Sequence, residues 1–351
     1  MNHPKELDTL TYSALRAFKN CRRSYYWRNV RQLVPNERDE DAATLGLGHL
    51  AHECLRLWHG RNADDAPEKV IETALDIIDA ACPMRDSDDK QRRIRHLARA
   101  MFLGYVDRYP EEEFQIIGVE REFRCPIINP ATGSSSKTFE MRGKADAVVR
   151  CGDEIFLMEH KTASQISADY LERLPMDRQI AIYSHYLVAA GAVPRVDGVL
   201  YNILGKAGIK QSAGESEAEF QERRAALIAK SKSGTSKAQR KMPESDADFQ
   251  ERLAEKYRED EMFHRERLYI SKEQIEETLS EIWQLTQQLL VARRTGGWYQ
   301  NDDFCFNHHR PCAYWPICRS GNNSVTIDNL YHHEAPHGEL SAEGQISEPV
   351  F

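Results

Sequence analysis

The chain has 351 residues, of which 41% are hydrophobic and 29% charged, a composition that supports a substantial core and places it among soluble globular proteins. No stretch approaches the roughly 20 apolar residues of a membrane-spanning helix, and the opening MNHPKELDTL lacks the basic start and apolar run of a signal peptide, so a cytoplasmic protein without membrane contact is expected. A net charge of −8 argues against a protein that simply coats nucleic acid, although a cleft built from cation-binding carboxylates escapes that argument.

Residues 11–29 open with a hydroxyl residue suited to capping and carry Leu15 and Phe18 three apart, which predicts a short helix ending near Cys21, then an aromatic and basic segment. Residues 35–43 read as a polar loop. From Leu45 to His59 the apolar positions Leu47, Leu50, Ala51, Cys54, Leu55 and Trp58 recur at helical spacing, the signature of an amphipathic helix. Two more helices are expected over 67–82 and 88–108. The period then changes to two, and 114–126, 137–150 and 154–160 read as strands, with the turn-rich INPATGSSSK between the first pair. A helix over 176–190 and a strand over 196–204 follow. Residues 206–262 are rich in Lys, Glu, Ser, Ala and Gln; helical pieces at 216–230 and 246–258 are expected there without a packed core, as an insertion projecting from the main domain. A strand at 264–270, a helix at 272–293 and a Cys/aromatic segment to 318 come next, and the polar tail from 321 is expected to be disordered.

Eight cysteines in a reducing compartment are not a disulfide framework. Cys54, Cys82, Cys125 and Cys151 sit in or beside apolar helical and strand patterns and read as packing residues. Cys305, Cys312 and Cys318 lie close together in CFNHHRPCAYWPIC, a ligand-like set that needs a fourth member; Cys21 is the best candidate. Four thiolates suit zinc as well as iron, and His308 and His309 are possible substitutes for a cysteine.

The other notable set is Asp146 in GKADAVV with Glu159 and Lys161 in IFLMEHKTAS. Both stretches read as strands of one hairpin turning at Gly152 and Asp153. Alternation puts Glu159 and Lys161 on one face, and pairing across the turn can bring Asp146 beside them. Two crowded carboxylates next to the apolar run Ile155–Met158 are costly unless a divalent cation relieves them. Magnesium or manganese held by Asp146, Glu159 and the His160 carbonyl is one reading, and an ordinary surface hairpin with a Glu–Lys pair is the other.

Residues around this set shift the balance. Gly48-x-x-x-His52-x-x-Leu55 on the preceding helix, Asp146, Glu159-x-Lys161, and Gln179-x-x-x-Tyr183 on the following helix resemble the RecB-like branch of the PD-(D/E)XK nuclease superfamily, including AddB-type and CRISPR-associated iron–sulfur nucleases. The resemblance covers most of the chain apart from 206–262 and the tail. It implies an α/β, restriction-endonuclease-like mixed sheet flanked by helices. It also implies metal-dependent phosphodiester hydrolysis, with His52 as a metal ligand beside Asp146, Glu159 and His160, and Lys161, Gln179 and Tyr183 in the catalytic set. Glu120 matches a less specific acidic position. Ser13-x-Leu15-x-x-Phe18-x-x-Cys21 resembles the family's N-terminal cluster segment, so the resemblance favours a 4Fe–4S cluster on Cys21, Cys305, Cys312 and Cys318 over zinc; many members have a shorter first gap than the six residues here.

Five regions are thus expected: a cluster-ligand segment 1–44, a nuclease core 45–205, the insertion 206–262, a C-terminal helix and cysteine segment 263–320, and the tail 321–351. Arg22, Arg23 and Arg28, interleaved with Tyr25, Tyr26 and Trp27, suit a single strand whose bases stack on aromatics. The expected activity is DNA exonuclease action on single strands or ends in recombination, repair or replication of a viral or bacterial genome. Alternatives are a non-cleaving DNA-binding subunit, or an adaptor whose insertion meets a helicase or recombination partner.

Overall fold

The computed structural model describes residues 7–36, 39–83, 89–231, 235–307, 310–338 and 340. Strand β1 (Asp8–Leu10) leads into helix α1 (Tyr12–Asn20), whose first turn is capped by Thr11 Oγ1 accepting from Ala14 N at 3.2 Å. Helix α2 (Arg22–Tyr25), a π-helical turn (Tyr26–Val30) and strand β2 (Leu33–Pro35) follow. Three helices come next: α3 (Asp39–Gly60), α4 (Pro67–Ala81) and α5 (Asp89–Arg108). The first begins within the segment expected to be a polar loop.

The expected strands appear as β3 (Gln115–Ile128), β4 (Ser135–Cys151) and β5 (Glu154–Ala163). Short α6 (Ala168–Glu172) precedes α7 (Arg178–Ala189), and β6 (Gly198–Gly205) follows. Helices α8 (Glu217–Lys230) and α9 (Asp246–Lys256), strand β7 (Phe263–Tyr269) and helix α10 (Lys272–Thr295) complete the central region. Gly296, at φ 69°, takes the left-handed conformation that stops α10. The C-terminal part holds β8 (Phe306–Asn307), β9 (Arg310–Pro311), α11 (Trp315–Arg319), α12 (Ser324–Leu330) and β10 (Tyr331–His333).

The main sheet is mixed, in the order β1-β4-β5-β6-β7, with β3 also paired to β4. Strand β4 is the hub. One edge pairs antiparallel with β3 along most of its length; the other meets β1, in parallel, at residues 139–141 and β5, antiparallel, at residues 147–151. Between those two partners the edge of β4 around residues 142–146 is left open, and that opening positions the site. Gly143 lies in it because a Cβ there would come within 2.5 Å of Phe123 Cζ and 3.0 Å of Tyr183 Cε1.

Helices cover both faces. Leu15 and Phe18 of α1, Ile182 and Leu187 of α7, and Ile282 and Leu289 of α10 bury with Phe123, Phe139, Leu157 and Tyr201 of the sheet. The other large core joins Leu47, Leu55 and Trp58 of α3, Ile78 of α4 and Phe102 and Tyr105 of α5 to Leu204 and Phe263. Cys54, Cys82, Cys125 and Cys151 are buried, in keeping with a packing role.

Two expectations need correction. The charged region 206–262 is not wholly a projection: Phe249 and Leu253 of α9 and Tyr257 at its C-cap, spaced one turn apart, are buried in the second core, and Tyr257 Oη donates to Gly205 O at 3.1 Å. Helix α8 of the same region carries no buried residue. Nor is the segment after 321 structureless. Strand β10 pairs antiparallel with β2, and Tyr331 is buried with Trp27, Leu33, Tyr314 and Ile317. Residues 341–351 lie outside the described residues.

Candidate active site

The ladder between β4 and β5 stops at the pair Ala147–Met158. Continuing that register sets Asp146 opposite Glu159 on a common face. The next rung is replaced by a side chain: the His160 N–H donates to Asp146 Oδ2 at 2.8 Å. Because the N–H and C=O of a strand residue leave on the same edge, the His160 carbonyl also opens toward Asp146. The other oxygen, Asp146 Oδ1, lies 3.3 Å from Nδ1 of His52 on α3.

Glu159 is buried. Its Oε1 accepts from Lys161 Nζ at 2.8 Å and from Gln179 Nε2 at 2.9 Å. Asp177, which did not figure in the sequence-based set, caps α7 through Oδ1 to the Gln179 N–H (3.0 Å) and places Oδ2 3.5 Å from Lys161 Nζ. An Asp immediately before a helical pattern is a capping signal and carries no other message in the sequence. Here the cap also anchors the ammonium. Tyr183, one turn beyond Gln179, packs edge-on against Phe123 at 5.2 Å between ring centroids, on the core side of the helix.

The charges are not equivalent. Burial works to raise the Asp146 carboxyl, yet the hydrogen bonds and charge from His52 and His160 bring it below its usual value. Burial raises Glu159, and the neighbouring Asp146 adds to the rise beyond what Lys161 can offset. Lys161 goes up because Glu159 and Asp177 outweigh its own desolvation. Protonation of His52 is opposed by burial but favoured more strongly by Asp146 and Glu159. One carboxylate is thus secured as an anion while its neighbour is under electrostatic pressure, a tension that a divalent cation between them would relieve.

Gly48 and His52 share a face of α3, and a Cβ on Gly48 would come 3.5 Å from Thr162 Oγ1 of β5, an ordinary contact. One turn further along that face, Arg56 pairs with Glu53 at 2.5 Å. Glu120, in the left-handed region at φ 50°, forms an ion pair with Lys144, two residues from Asp146 on the same strand. The register of β3 on β4, with Val119 beside Ala147 and Arg121 beside Ala145, sets Glu120 across from Asp146.

Behind the site lies a buried polar network. The Tyr105 hydroxyl accepts from Arg265 Nη2 at 2.7 Å and from Asn202 Nδ2 at 3.2 Å, which fills both lone pairs. Its proton is therefore directed to His59 Nε2, 3.1 Å away, leaving the His59 proton on Nδ1, which faces Glu112 Oε1 at 3.8 Å. The second Asn202 amide hydrogen goes to His160 Nδ1 at 3.0 Å, and the His160 ring stacks on His59 with centroids 5.5 Å apart. Arg265 Nη1 closes the set on Glu112 Oε2 at 2.7 Å. Burial holds His160 down to about 4 and His59 well below the usual imidazole value, so both are neutral near pH 7. The residue whose main chain holds Asp146 is thus fixed from behind by its side chain.

The family model of the PD-(D/E)XK nuclease superfamily matches residues 9–319. The chain belongs to that superfamily, which implies a metal-dependent nuclease with DNA as its substrate. No curated protein matches the sequence.

Among the described residues, no group of three or more His, Cys, Asp or Glu side chains is gathered as a ready metal site. In the acidic set the donors are engaged with one another: Asp146 with His52 and the His160 N–H, Glu159 with Lys161 and Gln179. The chemistry of the set fits a hard cation, since Asp146, Glu159 and the His160 carbonyl supply oxygens and His52 an imidazole.

The four candidate cluster cysteines lie in the region where the N-terminal helices pack against the segment after α10, without being gathered among the described residues as a metal site. Cys312 N donates to Cys305 O at 2.7 Å and Asn301 N points to Cys21 Sγ at 3.5 Å. Burial first, then Cys312 and Cys21, raise the Cys305 thiol; Cys318 is raised by burial and also feels Cys312 and Cys21. The Trp27 indole N–H is buried without a nitrogen or oxygen partner and faces the Cys318 sulfur, an arrangement that suits a thiolate ligand. His308 and His309 lie outside the described residues.

The three arginines proposed for DNA are placed differently from one another. Arg22 spreads its guanidinium 4.6 Å over the Tyr299 ring and donates to Gln288 Oε1 at 2.8 Å. Arg23 is spent on Trp298 O (2.7 Å) and Asn322 Oδ1 (3.4 Å), and Arg28 on Glu334 O (2.9 Å) and the Glu334 carboxylate (3.0 Å). The last two tie the chain ends together, so only Arg22 keeps the open aromatic setting that strand binding asks for. Among the described residues no helix is long and apolar enough to cross a membrane.

Proposed function

We propose that the protein is a magnesium- or manganese-dependent deoxyribonuclease acting on single-stranded DNA or DNA ends. The observation that carries this reading is the convergence of His52, Asp146, Glu159, Lys161 and Gln179, from two helices and two strands, at the point where β4 and β5 part. Asp146, Glu159, the His160 carbonyl and His52 would hold the ion, which when bound polarises the scissile phosphate and lowers the pKa of a bound water. Lys161, anchored by Glu159 and Asp177, offers a fixed positive charge for the negative charge that develops on the phosphoryl oxygens in the transition state. Gln179 orients the Glu159 carboxylate, and the buried network behind His160 keeps its main chain in register. Exonuclease mode and a role in recombination, repair or replication rest on the resemblance to RecB-like nucleases.

The cysteine junction is proposed as a 4Fe–4S site on Cys21, Cys305, Cys312 and Cys318, supported by the Trp27 N–H directed at Cys318; zinc is the alternative occupant. Absorption at about 400 nm after anaerobic purification, with metal analysis, separates the two, since thiolate-ligated iron absorbs there and zinc does not. The exposed α8 is the surface this reading leaves for a helicase or recombination partner.

The test is hydrolysis of end-labelled single- and double-stranded DNA with added magnesium or manganese. Lys161→Ala is expected to lower the rate by about 100-fold or more, and chelation to abolish it. Equal rates for both proteins would remove the assignment.

A further inference from the structure

The site's approach is recorded on one face each of α1 and α10. Tyr12, Arg16 and Lys19 recur at spacings of four and three and so share one face of α1. Facing them, Glu281, Gln284, Leu285 and Gln288 share one face of α10. Two cavities of about 240 and 320 Å3 lie between these faces. They have Lys19, Asn20, Glu281 and Leu285 in common and therefore form one trough.

Its inner end carries Arg178, the residue between Asp177 and Gln179, and Tyr12, whose hydroxyl faces Asp177 and feels Lys161. Its outer end lies beside Cys21, where Tyr299 is 58% exposed and Arg22 sits over its ring.

We propose that this trough guides single-stranded DNA to Lys161 and Glu159, with Glu281 occupying the place of a phosphate until the strand arrives; the proposal rests on the nuclease reading and names the route of its substrate. Guanidinium and ammonium groups for phosphates, an exposed aromatic ring for a base and neutral amides between them are what an unpaired strand requires. The exposed Tyr299 ring at the outer end favours an unpaired strand, because the bases of a duplex are already stacked and paired and have no free face to lay on it.

In a chain of net charge −8 the concentration of Arg16, Lys19, Arg22 and Arg178 is local. Glu281 answers part of it, forming an ion pair with Lys19 and lying 3.8 Å from Arg178 Nε, while Glu277 takes Arg178 Nη1 at 3.2 Å. Exposed pairs of this kind contribute little, so phosphates can displace the carboxylate at small cost.

The experiment measures anisotropy of a short labelled oligothymidylate, and of a blunt hairpin duplex, with the full chain carrying Lys161→Ala in chelator. Adding Arg16→Glu and Lys19→Glu is expected to weaken single-strand binding by about tenfold and to reduce the salt slope by about 0.7 per lost phosphate contact. Glu281→Gln is expected to tighten binding about threefold by removing the competing anion, a gain that misfolding cannot mimic. Unchanged single-strand binding in these variants overturns the proposal, as does an equal loss on the duplex. If the trough variants behave as expected but the unaltered protein cleaves no DNA with magnesium or manganese, the route stands and the nuclease reading fails.

Discussion

Tyr105→Phe isolates the contribution of the network behind the site. The ring stays, packed against Tyr109 at 5.1 Å and Phe263 at 5.9 Å, so no cavity opens and only the hydroxyl is lost. Three groups then lose a partner in a place without water access: Arg265 Nη2, Asn202 Nδ2 and His59 Nε2. Arg265 keeps Glu112 and Asn202 keeps His160, so the loss falls mainly on His59 and on one charged donor. An unsatisfied buried polar group costs about 1–3 kcal/mol, and partial relaxation keeps the sum below the simple total, giving a loss of about 3 kcal/mol in unfolding free energy. Urea unfolding supplies the number, and long-range proton–nitrogen spectra of the histidine rings supply the tautomer, which is expected to leave Nδ1–H in the variant. A loss under about 0.5 kcal/mol, the range of a neutral surface change, together with an unaltered His59 tautomer, would refute the hydrogen-bond assignment around Tyr105.

Phe249→Ala is expected to destabilise the protein by about 3–5 kcal/mol, because that side chain is 1% exposed in the core formed with α5; a change below about 1 kcal/mol would return α9 to the status of an appended arm. His59 and His160 are neutral in the fold but protonate near about 6.5 in the unfolded chain. The stability they confer is therefore complete above that value and lost as the pH falls below it, and their folded-state ring resonances should not titrate between about pH 7.5 and 5.5. Histidine NMR checks this, and a titrating His59 contradicts it. Tyr331→Ala removes a ring stacked 6.0 Å from Tyr314 and a hydrogen bond to Ala313 O at 2.7 Å. Limited proteolysis should then cut the segment after 320 much faster than in the unaltered protein; equal cleavage would show that β10 adds no protection.

Much of the architecture was legible in the sequence because the signals were periodic. Leu47, Leu50, Cys54, Leu55 and Trp58 mark α3 at helical spacing, and the alternation around Asp146 and Glu159 marks a hairpin whose register the structure reproduces. Relations without a period were not legible. Tyr105, Asn202, Arg265 and Glu112 are single polar residues on four separate segments, and nothing local ties them together. Phe249, Leu253 and Tyr257 form a stripe at intervals of four, but it is narrow and flanked by charge, so composition concealed a buried face. Arg23 and Arg28 illustrate the converse: a cluster of basic residues suggests a ligand surface, whereas main-chain oxygens of a distant segment claim two of the three.

The pairing of β2 with β10 has a consequence for how the molecule is made. Leu33 and His333 become partners although they lie far apart in sequence, and Trp27 shares its burial with Ile317 and Tyr331. Closing so long a loop carries an entropic cost before any contact repays it, which makes such pairings late events in folding. On the ribosome Trp27 and Leu33 must therefore wait, with apolar surface exposed, until the distant residues that cover them have emerged. A chain cut before residue 314 would keep the strands of the acidic centre but leave Trp27 and Leu33 without the side chains that bury them.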